Sequence, residues 1–136
     1  MAKVLVLGAG VAGHTAALLL KRKLKNDHEV IVISPNSKYQ WIPSNIWVGV
    51  GRMTTKQVTF ELNQVYEKQK IKFHQAKAIS IHPQGDKSRK PFVAFEYTSK
   101  ENKGRTGYEE FDYLINATGP KLKFEATEGL DPAYGY

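Results

Sequence analysis

Hydrophobic and polar positions along this chain change period several times, and each change marks a candidate element. Val4-Leu5-Val6-Leu7 is a continuous apolar run, the pattern of a strand buried on both faces of a parallel sheet. After the stretch Gly8-Ala9-Gly10-Val11-Ala12-Gly13 the period becomes helical. Ala16, Ala17, Leu18, Leu19, Leu20 and Leu24 make an apolar face, while Lys21, Arg22, Lys23 and Lys25 gather at the far end, where cations suit a helix C-terminus. Val30-Ile31-Val32-Ile33 then supplies a second buried strand. The opening stretch therefore predicts a βαβ unit.

Beyond it the pattern is less regular. Ser34-Pro35-Asn36-Ser37 reads as a turn, and residues 39–51 are rich in aromatics, with Pro43, Gly49 and Gly51 arguing against a regular helix. Thr54 or Thr55 can cap a helix carrying Val58, Leu62, Val65 and Tyr66 and ending near Gln69. Strands are predicted at 71–74, 78–82, 92–97 and 108–111. The last three follow one another with no helix between them, which implies an antiparallel meander. A mostly apolar strand at 113–117 ends in Thr118-Gly119-Pro120.

The glycine stretch carries the first candidate chemistry. Gly8 permits a tight turn out of the strand, Gly10 lets backbone approach a pyrophosphate, and Gly13 lets the helix pack close to the sheet. Free N–H groups at the helix start then face the anion, aided by the helix dipole. The strand before and the helix after give this spacing a meaning that the glycines alone lack.

Composition narrows the alternatives. A chain of 136 residues makes one domain, and without cysteine it holds no disulfide, thiolate metal site or thiol redox chemistry. No apolar run approaches the ~20 residues that span a bilayer, and a strand starting near residue 3 leaves no room for a signal peptide. The expected location is cytoplasmic or peripheral at the inner membrane. The net charge of +7 lies largely at the end of the first helix and in the links 86–90 and 99–107. Without interleaved aromatics it predicts solvated loops and no nucleic-acid partner.

The remaining candidates are weaker. His14, His28, His74 and His82 show no i, i+4 pair or carboxylate at ligand spacing, so no metal site is expected. Glu109 and Glu110 should face opposite ways on a strand and, with Asp112, are expected to be solvated. Trp41 and Trp47 fit either a flavin flank or the core of a loop.

The order of elements, with Asp112-Tyr113-Leu114-Ile115-Asn116-Ala117-Thr118-Gly119, resembles the N-terminal FAD-binding region of flavoproteins with two dinucleotide-binding domains. Residues 39–51 and 117–124 narrow the resemblance to sulfide:quinone oxidoreductase, and it runs from Lys3 to about Gly129. It implies an α/β fold: a Rossmann-like parallel sheet with a three-stranded antiparallel meander as crossover. Residues 1–136 would be an incomplete FAD-binding domain, the N-terminal piece of a longer flavoprotein. Gly8, Ala9, Gly10, Val11 and Ala12 would cradle the FAD pyrophosphate and Gly13 would pack the helix. Ser34 and Pro35 would lie beside the adenosine ribose, and Pro43, Ser44 and Asn45 would approach the flavin. Lys77 or Ala78 would meet the adenine through backbone groups, and Thr118 and Gly119 would close over the cofactor. The implied reaction is oxidation of sulfide, with electrons passing through FAD to a membrane quinone.

Two departures qualify the resemblance. The acidic residue usual at the end of the second strand is replaced by Ser34, with Asp27 and Glu29 at the strand's other end. A serine can bond one ribose hydroxyl, and Lys38 nearby could accept a 2′-phosphate, so NADP stands as an alternative to FAD. The family's redox cysteines, second dinucleotide fold and membrane-binding parts have no counterpart in these residues. The chain alone is therefore expected to hold no catalytic residue and not to turn over sulfide, and membrane association would come through other parts of the parent. An NADH:quinone dehydrogenase segment, a non-catalytic dinucleotide-binding regulatory domain and a homo-oligomer stay open.

Overall fold

A computed structural model describes residues 1–121 and 123–129. Leu122 and residues 130–136, part of the segments read above, lie outside the described residues. The βαβ unit forms as its periodicity predicts: β1 (Lys3–Leu7), α1 (Val11–Leu24) and β2 (Glu29–Ser34). Next come β3 (Lys38–Gln40), a 3₁₀ turn (Ile42–Ser44), α2 (Asn45–Gly49), a second 3₁₀ turn (Thr55–Gln57), β4 (Thr59–Glu61) and α3 (Leu62–Lys68). The chain then runs through β5 (Lys72–His82), β6 (Phe92–Tyr97), β7 (Thr106–Glu110) and β8 (Tyr113–Asn116) to a 3₁₀ turn at Phe124–Ala126.

The main sheet has the order β7-β6-β5-β2-β1-β8, with β5, β2, β1 and β8 parallel and β6 and β7 antiparallel additions. This is the Rossmann-like α/β sheet with a meander expected from the sequence. Alternation along the strands builds two cores. Val6, Val30 and Val32 face Ala17 of α1 and Leu62 and Tyr66 of α3 on one side. Leu5, Leu7, Ile31 and Ile33 face Val93, Phe95 and Phe111 on the other. The sheet curls so that the meander covers the face that the helices leave bare, and both faces of the central strands β1 and β2 are dry.

The long strand β5 makes the curl possible. Its start pairs with β2 from Lys72 to Gln75, and from Ala76 to His82 it pairs with β6, with a register shift between Ala78 and Ser80. Such bulges bend a strand and increase its twist. The two strands expected at 71–74 and 78–82 are therefore one.

One further expectation changes. The single helix starting at Thr54 or Thr55 is broken: the Thr54 N–H donates to Gln57 Oε1 at 2.8 Å to cap a 3₁₀ turn, then 59–61 pair with 38–40 as an antiparallel ladder, and only Leu62–Lys68 is helical. Helical spacing of Val58 and Leu62 concealed a strand between them, where Thr59 and Phe60 suit an extended backbone. Residues 39–51, where Pro43 and two glycines argue against a regular helix, run from the end of β3 through a 3₁₀ turn into the five-residue α2. Pro43 sits in the first turn, where no N–H is required of it.

Candidate functional site

The parallel strands end together at one edge, and the glycine stretch lies across it. Gly8 adopts φ 89°, a conformation open to glycine, while its N–H donates to the Ile33 carbonyl at 2.8 Å. A Cβ at Gly8 would lie 2.3 Å from the Ala117 carbonyl oxygen. A Cβ at Gly13 would lie 2.0 Å from the Gly8 carbonyl oxygen and 3.3 Å from the Ala117 Cβ. The end of β1, the first turn of α1 and the end of β8 thus interlock through two positions that admit no side chain. The Ala117 N–H closes the lock on the Leu7 carbonyl at 2.8 Å.

Gly10 is the opposite case. It is exposed, and a Cβ there would meet no atom within 4 Å. It forms the N-cap of α1, with no side-chain cap and no acidic residue in the first turn. The first intrahelical bond is His14 N–H to the Gly10 carbonyl at 2.9 Å. The N–H groups of Val11, Ala12 and Gly13 precede it and have no helical acceptor, leaving a positive helix end directed outward. Ala9 is buried beneath this turn; Val11 and Ala12 are exposed.

The other expected residues take up different distances from this centre. Ser34 is buried at the end of β2, in register with Gln75, and Pro35 beside it is exposed. The Thr98 hydroxyl donates to the Pro35 carbonyl at 2.7 Å and so fixes the turn leaving β2. Lys77 and Ala78 lie just beyond Gln75, where β5 leaves β2 and pairs with Glu96 and Phe95. Thr118 and Gly119 are exposed after β8; the Thr118 hydroxyl donates to Asn116 Oδ1 at 2.9 Å, and Gly119 adopts φ 73°. These residues share the carboxyl edge of the parallel strands.

Pro43, Ser44 and Asn45 stand apart. Gln40 Nε2 donates to Asn45 Oδ1 at 2.9 Å, which fixes the 3₁₀ turn to β3. The connection to the glycine turn is indirect: Tyr39 of β3 packs its ring 4.8 Å from that of His14 in the first turn of α1. Trp41 and Trp47 are each 46% exposed, with Ile46 67% exposed between them. They are not the core of a loop, and the exposed Trp41, Ile42, Ile46 and Trp47 leave this segment an apolar surface.

His14 was weighed in the sequence only as a metal ligand, and its place in the core was missed. It is buried among Tyr39, Phe60 and Tyr66, with Nδ1 3.0 Å from the Tyr66 hydroxyl. Burial lowers its pKa and raises that of Tyr66, so both are held neutral. The available signal was its spacing: three residues before Ala17, it falls on the buried face of the helix.

The acidic residues at 109–112 require a correction. Glu109 is 6% exposed at the amino end of the parallel strands, where Lys72 Nζ reaches Oε2 at 2.7 Å and Lys3 Nζ reaches Oε1 at 3.3 Å. His74 Nε2 lies 2.9 Å from Oε2 and Tyr97 Oη 3.3 Å from His74 Nδ1. An ionised carboxylate only accepts, so Nε2 carries the proton and donates to Glu109. Burial opposes the charge on Glu109, yet the His74 and Lys72 hydrogen bonds, with Lys72's charge and Lys3, hold its pKa down to about 2. Asp112 is exposed but accepts the Lys3 N–H at 2.7 Å. His74 thus has a carboxylate partner that linear spacing hid, because the curl of the sheet brings β7 back to β1 and β5. Among the described residues no group of three or more His, Asp or Glu is placed to hold a metal.

No family model matches the sequence. The chain is 32% identical over 127 residues to sulfide-quinone reductase of Aquifex aeolicus, covering 93% of this chain and 26% of that protein. It is 29% identical over 137 residues to mitochondrial sulfide:quinone oxidoreductase of Mus musculus, covering 98% of this chain and 26% of that one. The solved sulfide:quinone oxidoreductase from Aquifex aeolicus superimposes with a TM-score of 0.74 at 29% identity, over 91% of this chain and 26% of that chain. NDH2 from Plasmodium falciparum, solved with NADH, shares the fold: its TM-score is 0.71 at 20% identity, over 90% of this chain and 23% of that chain. The chain thus spans 26% of the length of the curated relatives it matches, all of them oxidoreductases.

Proposed function

We propose, from a likeness to sulfide:quinone oxidoreductases that runs over nearly the whole chain, that residues 1–136 are the FAD-holding part of a longer flavin-dependent oxidoreductase. The observation that carries this reading is the interlocked turn at the sheet's carboxyl edge. Gly8 and Gly13 are filled by backbone, while Gly10 and three helix N–H groups stay open, a cradle suited to a pyrophosphate. Gly8 through Ala12 would hold the pyrophosphate, with Gly13 setting the distance from helix to sheet. Ser34 and Pro35 would bind beside the ribose, Lys77 or Ala78 beside the adenine, and Thr118 and Gly119 would close the rim. Pro43, Ser44 and Asn45, in the exposed apolar segment, would take the flavin end.

The likeness to sulfide:quinone oxidoreductases favours FAD over NADP; Lys38, the cation that could receive a 2′-phosphate, forms an exposed pair with Glu61 at 3.4 Å. Bound FAD supplies two-electron transfer, and this part of the protein supplies position and electrostatics. In the parent protein the electrons would come from sulfide and pass to a membrane quinone. The described residues include no helix long and apolar enough to cross a membrane, so contact with the quinone would come through other parts. Without cysteine, the chain by itself would not oxidise sulfide.

Calorimetric titration of the chain with FAD, NAD and NADP tests the reading. Saturable binding of FAD in preference to the other two is expected. Preference for NADP would reassign the site, and no binding of any dinucleotide would overturn the cradle. Sulfide-dependent quinone reduction by the isolated chain would overturn the claim that it cannot act alone.

A further inference from the structure

At the opposite end of α1 from the glycine turn, a groove of about 610 Å³ opens between the ends of α1 and α3. Lys21, Arg22, Lys25, Lys68 and Lys70 line it, with Leu18 on its wall. No carboxylate belongs to that lining: Asp27 and Glu67, the nearest in sequence, are not part of it. Among the described residues none of the five cations forms an ion pair, although Lys3, Lys38, Lys72 and Arg89 all do.

Cations near helix C-termini complement the dipole, and that alone explains Lys21, Arg22 and Lys68. It does not explain Lys25 and Lys70. Both have positive φ, 53° and 54°, and they are the two non-glycine residues with positive φ among the described residues. Lys25 adds ψ −123°, a combination that glycine tolerates and a residue with a Cβ resists. Glycine is the usual choice just past a helix end, so lysine at both positions places a charge at a cost in backbone strain. Both strained lysines line the same groove as three further unpaired cations.

We propose that this groove binds a ligand carrying clustered phosphate groups, at a site separate from the glycine turn. Five unpaired cations suit several anionic oxygens at once. The leucine wall and the amides of Asn26 and Gln69 suit the remainder of a phosphate ester. The site does not depend on the identity of any dinucleotide held at the other end of the helix.

The test is calorimetric titration of the full chain with tripolyphosphate, alongside flotation with phosphatidylglycerol and phosphatidylcholine vesicles. Saturable binding of tripolyphosphate assigns a soluble phosphate ligand; flotation with phosphatidylglycerol alone assigns a lipid headgroup. In either arm the double substitution Lys25→Gly and Lys70→Gly is expected to weaken binding about tenfold or more. The same substitution relieves the backbone and should raise Tm, so lost binding cannot be ascribed to lost folding. A control removing equal charge from the β6–β7 link, Lys100→Ser with Lys103→Ser, should change affinity less than about twofold. Absence of binding in both arms overturns the proposal. So does undiminished affinity in the glycine variant, or equal loss in the control, which would reduce the effect to net charge.

Discussion

The two ends of the parallel sheet are finished in opposite ways. Near the starts of β1 and β5, Lys3, Lys72 and His74 converge on the buried carboxylate of Glu109, and Asp112 receives the Lys3 N–H. At the carboxyl end the glycine turn leaves three helix N–H groups without helical acceptors, and the exposed Thr118 and Gly119 lie beside it. One end ties the meander to the sheet; the other leaves helix donors open where the proposed dinucleotide would bind. Stability and binding therefore draw on different residues of the same strands, and substitutions can separate them.

The largest effect is expected where the two roles meet. Gly13→Ala would drive a methyl into the Gly8 carbonyl, and Gly8→Ala would add a positive-φ penalty to its clash with Ala117. Backbone is the obstacle in both, so relief requires the strand, turn and helix to separate, at about 3 kcal/mol or a fall in Tm on the order of 10 °C. Thermal unfolding of either variant within about 2 °C of the parent would show that the interlock is looser than it looks.

Next in size is the closed end. Glu109→Ala leaves three donors facing a void, and because Lys3 and Lys72 are partly exposed the expected loss is about 2–3 kcal/mol in urea unfolding. Dinucleotide affinity, measured where the variant is folded, should not change. A parallel loss of affinity would show that the two ends are coupled.

The same cluster sets the acid limb. The Glu109 pKa of about 2 lies below its ordinary 4.5, so its stabilisation is complete above pH 4.5 and disappears as pH falls towards 2. His14 acts in the same direction from a higher pH: burial lowers its pKa below 6.5, so acidification must protonate it and weaken the fold. Glu109→Gln should flatten the dependence of unfolding free energy on pH between 4.5 and 2 while leaving the His14 contribution below pH 6.5 in place. An unchanged acid slope would assign acid lability to other carboxylates.

The open end was legible in the sequence because its parts are local or named by spacing. Gly8, Gly10 and Gly13 fall within six residues, and the apolar runs around them fix a strand and a helix. The closed end was not legible. Glu109 is expected to be solvated when only its strand neighbours are considered, and Lys3 lies 106 positions away. Their meeting depends on the bend of β5, and no local pattern encodes a bend of that kind. The broken helix at 54–69 fails for a related reason: Val58 and Leu62 keep helical spacing while Thr59 and Phe60 between them pair with β3.

Gly10→Ala gives the smallest change in stability and separates the ends most sharply. Gly10 has φ −73° and ψ −168°, extended backbone that alanine adopts, and no atom stands within 4 Å of the added methyl. Unfolding free energy should stay within about 0.5 kcal/mol of the parent. The methyl would occupy the space that lets an anion approach the N–H groups of α1, so dinucleotide affinity should fall at least about tenfold. The contrast with Gly13→Ala is the point, since the same added carbon at two glycines three residues apart should act on binding alone in one and on folding in the other. Full affinity in Gly10→Ala would mean that the ligand does not approach the helix through this turn, and the open donors at the carboxyl edge would need another occupant.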